Sequence, residues 1–301
     1  MRTHKTAVIG LGAMGMGMAQ SAHVAGLQTV GMDINPAAME SLAAVGATVA
    51  ETPAKAAAGA DSLAVVVVNA TQMETVLFGN NGAADALPKG AVVLGCATVP
   101  AETCRQIAVR VEERGLHYLD APISGGAAKA ASGELTVMAS GTAAAFDRAE
   151  PFLDAASETV FDLGREAGQG STMKMVNQLL AGVHIATAME AVALGLKAGL
   201  DAQSIYDVIT QAAGNSWMFG NRVPRVIDGD YQPKSAVGIF TKDLGIVLSE
   251  AERLGMDLPL ATTALSRYQA AADMGLKSED DAAVIKVYAA AAGIDLPEPV
   301  A

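Results

Sequence analysis

"AVIGLGAMGMGMAQ", residues 7–20, runs a short apolar stretch into glycines at 10, 12, 15 and 17, with methionines at 14, 16 and 18. Glycine weakens strand and helix interiors because it loses more backbone freedom on folding than any other residue. Four of them at one junction therefore mark a turn with a task. Gly10-Leu11-Gly12-Ala13-Met14-Gly15 follows a predicted strand and opens a predicted helix that ends at Gly26. In a G-x-G-x-x-G turn the first glycine permits the bend, the second admits a pyrophosphate, and the third lets helix and strand pack. The helix start adds amide N–H groups and the positive end of its dipole. Asp33 closes the next predicted strand about 20 residues on, where a carboxylate accepts hydrogen bonds from the adenosine ribose of NAD and repels the extra phosphate of NADP. Ile34, Asn35 and Pro36 follow it, so no arginine stands beside that position. NAD is the expected cofactor.

Outward from the turn, short apolar runs alternate with helical segments. Residues 6–10, 28–33, 62–69, 91–96 and 117–122 read as strands, apolar almost throughout. That is the pattern of parallel strands buried on both faces. Asn35-Pro36 and Thr52-Pro53 each offer a side-chain cap followed by proline in the first helical position. Residues 100–115 form a helix stopped by Gly115, and strands at 134–140 and 159–164 flank a helix near 143–156. Repeated strand–helix–strand units predict right-handed crossovers and a doubly wound sheet.

Beyond Gly164 the pattern is helical. A first long helix is expected from Ser171, as its cap, to about Lys197, on the order of 40 Å. It is apolar around most of its circumference and so is expected to be buried. Further helices are expected near 201–213, 217–227, 242–255, 259–275 and 278–292, and the tail 294–301 carries no element. The fold class is therefore an α/β Rossmann domain, residues 1–164, joined by a long helix to an all-helical domain, residues 165–301. Such a helical domain has more apolar surface than one small bundle covers, which predicts a homodimer or homotetramer assembled through it.

The chain of 301 residues is 51% hydrophobic and only 4% aromatic, with a net charge of −12. An acidic surface repels nucleic acid and anionic lipid, so neither is expected as a partner. Two cysteines, Cys96 and Cys104, are too few for a secreted disulfide scaffold and read as reduced thiols. The N-terminal residues show no secretory pattern, and no uninterrupted apolar run reaches the roughly 18 residues of a membrane helix. A cytoplasmic location is expected. His4, His23, His117 and His184 do not cluster with Cys, Asp or Glu at ligand spacing, so no metal is expected.

Ligands of open α/β sheets bind beyond the carboxyl ends of the strands. Asn69 and Thr98 stand there, where each reads equally as a cofactor contact or as a helix cap. "DAPISGGAAKAASG", 120–133, is a second glycine-bearing loop at a strand end. Ser124, Gly125 and Gly126 could present a hydroxyl and backbone N–H groups to a carboxylate, or simply form a flexible loop. "GQGSTMKMVNQ", 168–178, places Lys174 and Asn177 one turn apart on the long helix. A lysine on a largely buried helix suits proton transfer, with Asn177 orienting it or the substrate; a snorkelling surface lysine is the plainer alternative. Lys242, read as lying at a helix start, opposes the dipole preference and suggests an anionic partner, with an ordinary surface lysine as the plainer alternative.

The ordered motifs "GLGAMGMGMA", "DAPISGG", "GQGSTMKMVNQ" and "KDL" resemble those of the β-hydroxyacid dehydrogenase family, and the resemblance covers nearly the whole chain. It implies Lys174 as the catalytic acid/base and Asn177 as its substrate-binding companion. It implies a substrate-carboxylate site at Ser124–Gly126, and Lys242 at cofactor and substrate. Gly10, Gly12, Ala13, Met14, Gly15, Asp33, Val67, Asn69 and Thr98 match cofactor positions. The expected reaction is NAD-dependent oxidation of a small hydroxy acid such as the sugar acid L-threonate. Tartronate semialdehyde reduction and 3-hydroxyisobutyrate oxidation are alternatives within the family, and a non-catalytic NAD-binding protein is one outside it.

Overall fold

The computed structural model describes residues 3–298; the end of the expected tail, 299–301, lies outside them. The chain divides into two compact units, Met1–Lys174 and Met175–Ala301.

In the first unit the strands are β1 (Lys5–Ile9), β2 (Gln28–Met32), β3 (Thr48–Val49), β4 (Ser62–Val65), β5 (Val92–Gly95) and β6 (His117–Asp120), followed by β7 (Ile123–Ser124), β8 (Leu135–Gly141) and β9 (Ser157–Asp162). The first six are parallel in the order β3-β2-β1-β4-β5-β6. Their alternate residues serve two cores. Ala7, Ile9, Leu63, Val65 and Val93 face one, with Met73, Leu77, Ile107 and Val111 from helices α4 (Ala70–Phe78) and α5 (Ala101–Glu112). Val8, Ala64, Val92 and Leu94 face the other. There they meet helices α1 (Gly15–Val24), α2 (Pro36–Ala44) and α7 (Ala143–Ala156), through Met18, Leu42 and Phe152. Each fully buried side chain of this size contributes about 1.5–3 kcal/mol. Asn35 and Thr52 cap α2 and α3 (Pro53–Ala57) through their side chains, as their sequence positions predict.

The five strands expected to be parallel are so, and β8, whose direction the sequence leaves open, runs antiparallel to β6 and β7 and parallel to β9. The connection from β7 to β8, residues 125–134, holds only the short α6 (Gly126–Ser132). Parallel neighbours need a crossover of about a dozen residues or more, so this chain returns antiparallel. The helix α7, by contrast, is long enough to bring β9 in parallel to β8. The strand expected over 62–69 ends at Val65, where the ladders to Ile9 and Gly95 also end. Val66 and Val67 leave the sheet beneath the glycine turn instead.

The long helix α8 spans Gln169–Lys197. It begins before Ser171, and that residue is not its cap: Ser171 donates its hydroxyl to Asp120. Among the described residues, α8 alone is long and apolar enough to cross a membrane by length and composition. Asn177, Gln178 and His184 break its apolar run, which is why a search for uninterrupted stretches passes over it. Core helices meet the same criterion.

The second unit contains the rest of α8 and helices α9 (Ala202–Ile209), α10 (Trp217–Ile227), α11 (Val237–Arg253), α12 (Pro259–Ala271) and α13 (Ile285–Ala292). Ile185, Met189, Val223, Phe240, Leu244 and Tyr268 build its core. Tyr268 stacks on Phe240 with ring centroids 5.1 Å apart and donates its hydroxyl to Gly182 O at 2.9 Å. Arg222 makes a two-pronged pair with the buried Asp281 at 2.6 and 2.9 Å. The α11 start at Val237 corrects the expectation for Lys242, which lies in the second turn rather than at the helix start.

Candidate functional site

The glycine turn has the form its sequence predicts. Gly10 has φ +95°, and a Cβ there would lie 2.2 Å from Val66 O; at Gly15 it would lie 1.8 Å from Gly10 O. Neither position tolerates a side chain. At Gly12 a Cβ would meet nothing within 4 Å, and Gly12 and Ala13 are exposed. The turn is thus closed toward the sheet and open outward at the start of α1, where the Met16 and Met18 N–H groups turn back to Gly12 O and Met14 O. This is the shape a dinucleotide pyrophosphate requires. Asp33, half-buried, accepts the Leu11 N–H on Oδ2 at 2.6 Å and the Asn35 N–H on Oδ1 at 2.8 Å. One carboxylate therefore braces the turn from the end of β2.

Val67 and Asn69 follow β4 at its carboxyl end, both half-buried. Asn69 caps α4, its side-chain oxygen accepting the Gln72 N–H at 2.9 Å. Thr98 is half-buried and is not a cap, because α5 starts after Pro100 with no side-chain cap bond. Cys96 and Cys104 are buried thiols, and burial pushes the Cys96 pKa up to about 12. A thiol held protonated is a poor nucleophile and a poor ligand. Among the described residues no group of three or more His, Cys, Asp or Glu could hold a metal ion.

Residues 120–133 hold short regular elements. They form the end of β6, the short β7 and α6, with Gly125 at φ +136° and Gly126 at φ +80°. Ser124 and Gly125 are half-buried and Gly126 is exposed. Lys174 is 8% exposed, and its Nζ donates to Ile123 O at 2.8 Å. The snorkelling alternative does not describe it. Its amine is held one residue along the chain from Ser124, so the fold joins these two sequence-distant candidates.

The second unit holds Asn177 and Lys242. Asn177 Nδ2 donates to Gln178 Oε1 at 2.9 Å, and Gln178 Nε2 donates to Asp243 Oδ2 at 2.5 Å. Lys242 Nζ pairs with Asp243 Oδ1 at 2.5 Å. The anionic partner inferred for Lys242 from its supposed helix-start position is supplied here by its own neighbour. Gln178 and Asp243 are both buried, and neither carries a sequence signal beyond its place in the "GQGSTMKMVNQ" and "KDL" stretches. Nothing in their spacing says that the two helices bring them together.

Residues 5–164 match the model of the NAD binding domain of 6-phosphogluconate dehydrogenase, and residues 168–288 match that of the NAD-binding region of NADP-dependent 3-hydroxyisobutyrate dehydrogenase. The chain is 51% identical to an L-threonate dehydrogenase of Pectobacterium atrosepticum, over 98% of this chain and 96% of that one. It is 50% identical to the L-threonate dehydrogenase of Escherichia coli K12, over 96% and 95%. A crystal structure described as 3-hydroxyisobutyrate dehydrogenase from Salmonella typhimurium superposes with a TM-score of 0.91 at 49% identity, covering 94% of this chain and 99% of that one.

Proposed function

The chain belongs to the β-hydroxyacid dehydrogenase family, and on that premise we propose that it oxidises L-threonate to 2-oxo-tetronate, with NAD+ in preference to NADP+. It is a hydroxyacid dehydrogenase that uses a nicotinamide dinucleotide. The substrate assignment draws on relatives near 50% identity that carry that name over almost their full length. The preference for NAD draws on Asp33, which would confront the additional phosphate of NADP with a carboxylate.

The observation that carries the chemistry is the buried Lys174, its amine tied to Ile123 O beside Ser124. In this reading Ser124, Gly125 and Gly126 hold the substrate carboxylate with a hydroxyl and backbone N–H groups. Lys174 Nζ, unprotonated, accepts the proton of the substrate hydroxyl. Asn177, one turn further along α8, orients the substrate. Bound NAD+ supplies the hydride acceptor. Gly10, Gly12, Ala13, Met14 and Gly15 receive its pyrophosphate, and Val67, Asn69 and Thr98 line the carboxyl edge of the sheet. The place of Lys242 at cofactor and substrate draws on the "KDL" motif. The cofactor domain is assigned to residues 1–164 and a substrate and assembly domain to 165–301. The enzyme is read as a cytoplasmic homo-oligomer.

The test is a panel of L-threonate, 3-hydroxyisobutyrate, L-serine and tartronate semialdehyde, followed by NADH absorbance, together with Lys174→Ala. L-threonate should be turned over fastest. Lys174→Ala should lose about two to four orders of magnitude in kcat, the usual worth of a positioned acid/base, while NAD+ binding is kept. Near-normal turnover by that variant would end the mechanism, and a faster alternative substrate would end the assignment to L-threonate.

A further inference from the structure

Asp120 ends β6 and is 1% exposed, yet its carboxylate is surrounded by donors from the segment that leads into α8. Its Oδ2 accepts the Gly168 N–H at 2.9 Å and the Ser171 N–H at 2.8 Å. Its Oδ1 accepts the Ser171 hydroxyl at 2.8 Å. The Ser140 hydroxyl, on the neighbouring β8, donates to Oδ2 at 3.4 Å and accepts the Gly170 N–H at 3.0 Å. Two strands thus grip the opening turn of one helix. The contact is close: a Cβ on Gly170 would lie 2.3 Å from Met138 O and 2.9 Å from Asp120 O.

Lys174 follows Ser171 by three positions, and Ile123, whose carbonyl receives its amine, follows Asp120 by three. The helix backbone and the lysine amine are therefore both registered on the segment 120–124. The same segment runs directly into Ser124–Gly126. We infer that Asp120 is a positioning residue of the dehydrogenase. Its carboxylate locks the first turn of α8 to the strand that carries the substrate-carboxylate site, and so sets the reach of the Lys174 amine to the substrate. The inference rests on the reading of Lys174 as acid/base.

A carboxylate suits this task in a way its amide does not. Ionised, it offers acceptors only, and it meets four donors here. It also places negative charge at the positive end of the helix dipole. Burial raises its pKa while the Ser171 and Gly168 donors pull the other way. An asparagine would turn its NH2 to the Ser171 hydroxyl, which must then reverse from donor to acceptor, and would remove the negative charge from the helix start.

The experiment uses the full chain with Asp120→Asn, Ser171→Ala, Ser140→Ala and Lys174→Ala, and the hydroxy acid turned over fastest by the parent. The readouts are kcat, both KM values, NADH affinity by fluorescence and the melting midpoint. Misplacement of a reacting group by about 1 Å can cost on the order of a hundredfold. Asp120→Asn should therefore lose about 10- to 100-fold in kcat, with NADH affinity within about twofold of the parent. Ser171→Ala should lose kcat in the same pattern by a smaller factor. A folded Asp120→Asn with parental kcat overturns the inference, and so does one that loses NADH affinity in step with kcat. Should Asp120→Asn not fold, parental kcat in both serine variants overturns it equally. An inactive Lys174→Ala beside an unimpaired Asp120→Asn removes the positioning role alone; an active Lys174→Ala removes the acid/base reading and this inference with it.

Discussion

Asp33 is proposed to do two jobs with one carboxylate, and only the ribose contact is visible in a motif. Its position after the second strand points to the ribose. Its bond to the Leu11 N–H at 2.6 Å shows that it also holds the glycine turn in shape. A hydrogen bond to a charged group contributes about 1.5–3 kcal/mol. Asp33→Ser should therefore raise KM for NAD+ about tenfold or more. It should also narrow the preference over NADP+, since the repelling charge is gone. Parallel kcat/KM measurements with the two dinucleotides check both effects, and a parent enzyme that prefers NADP+ would refute the reading of Asp33. Lys242 shows the opposite case at the same scale. Its misplaced charge was an inference from a helix start that lies five residues earlier, at Val237, and the ion pair with Asp243 replaces it. Helix boundaries are set by what a segment packs against, so a residue's place relative to the dipole is poorly fixed by local pattern.

Between elements, α1 and α6 pack closely near the glycine turn. A Cβ on Gly17 would lie 2.5 Å from both Ala130 C and Ala131 N, backbone atoms that cannot move aside alone. The Ser21 hydroxyl donates to Ala130 O and Ala131 O nearby, at 3.1 and 3.2 Å. Gly17, which the phosphate motif does not require, is there for this packing, with Met18 buried against the same core. Overpacking of this kind costs about 1–3 kcal/mol. Gly17→Ala should lower the melting midpoint by several degrees, read by circular dichroism. Because α6 starts in the Ser124–Gly126 segment, the variant should also raise KM for the hydroxy acid more than KM for NAD+. Equal effects on both would separate α6 from the substrate site. The existence of α6 and β7 was not legible in the sequence: each is too short for a period to register.

For the whole molecule, the exposed apolar residues of the second unit bear on assembly. Leu180, Leu194, Val208 and Trp217 are each between 48% and 71% exposed. Large apolar side chains stay exposed on both units, and the proposed self-association through the helices would cover those of the second. Light scattering at micromolar concentration should give a multiple of the 30.5 kDa chain mass, and a monomer would sink the proposal of self-association. The order of the chain, strands and crossovers first and helices after, was legible, because the longer elements carry their own periodicity. The antiparallel β8 was not, because strand direction depends on how the intervening chain returns.

By itself the sequence determined the cofactor turn, the two-part fold class and the family, since glycine placement, hydrophobic period and motif order are local properties. Only the tertiary structure decided which distant residues meet. Lys174 comes to Ile123 O, and Asp120 comes to the start of α8, across some 50 positions. Both are hydrogen bonds between groups that burial would otherwise leave unsatisfied. Their partners are chosen by the packing of strands and helix, on which the spacing of residues along the chain is silent.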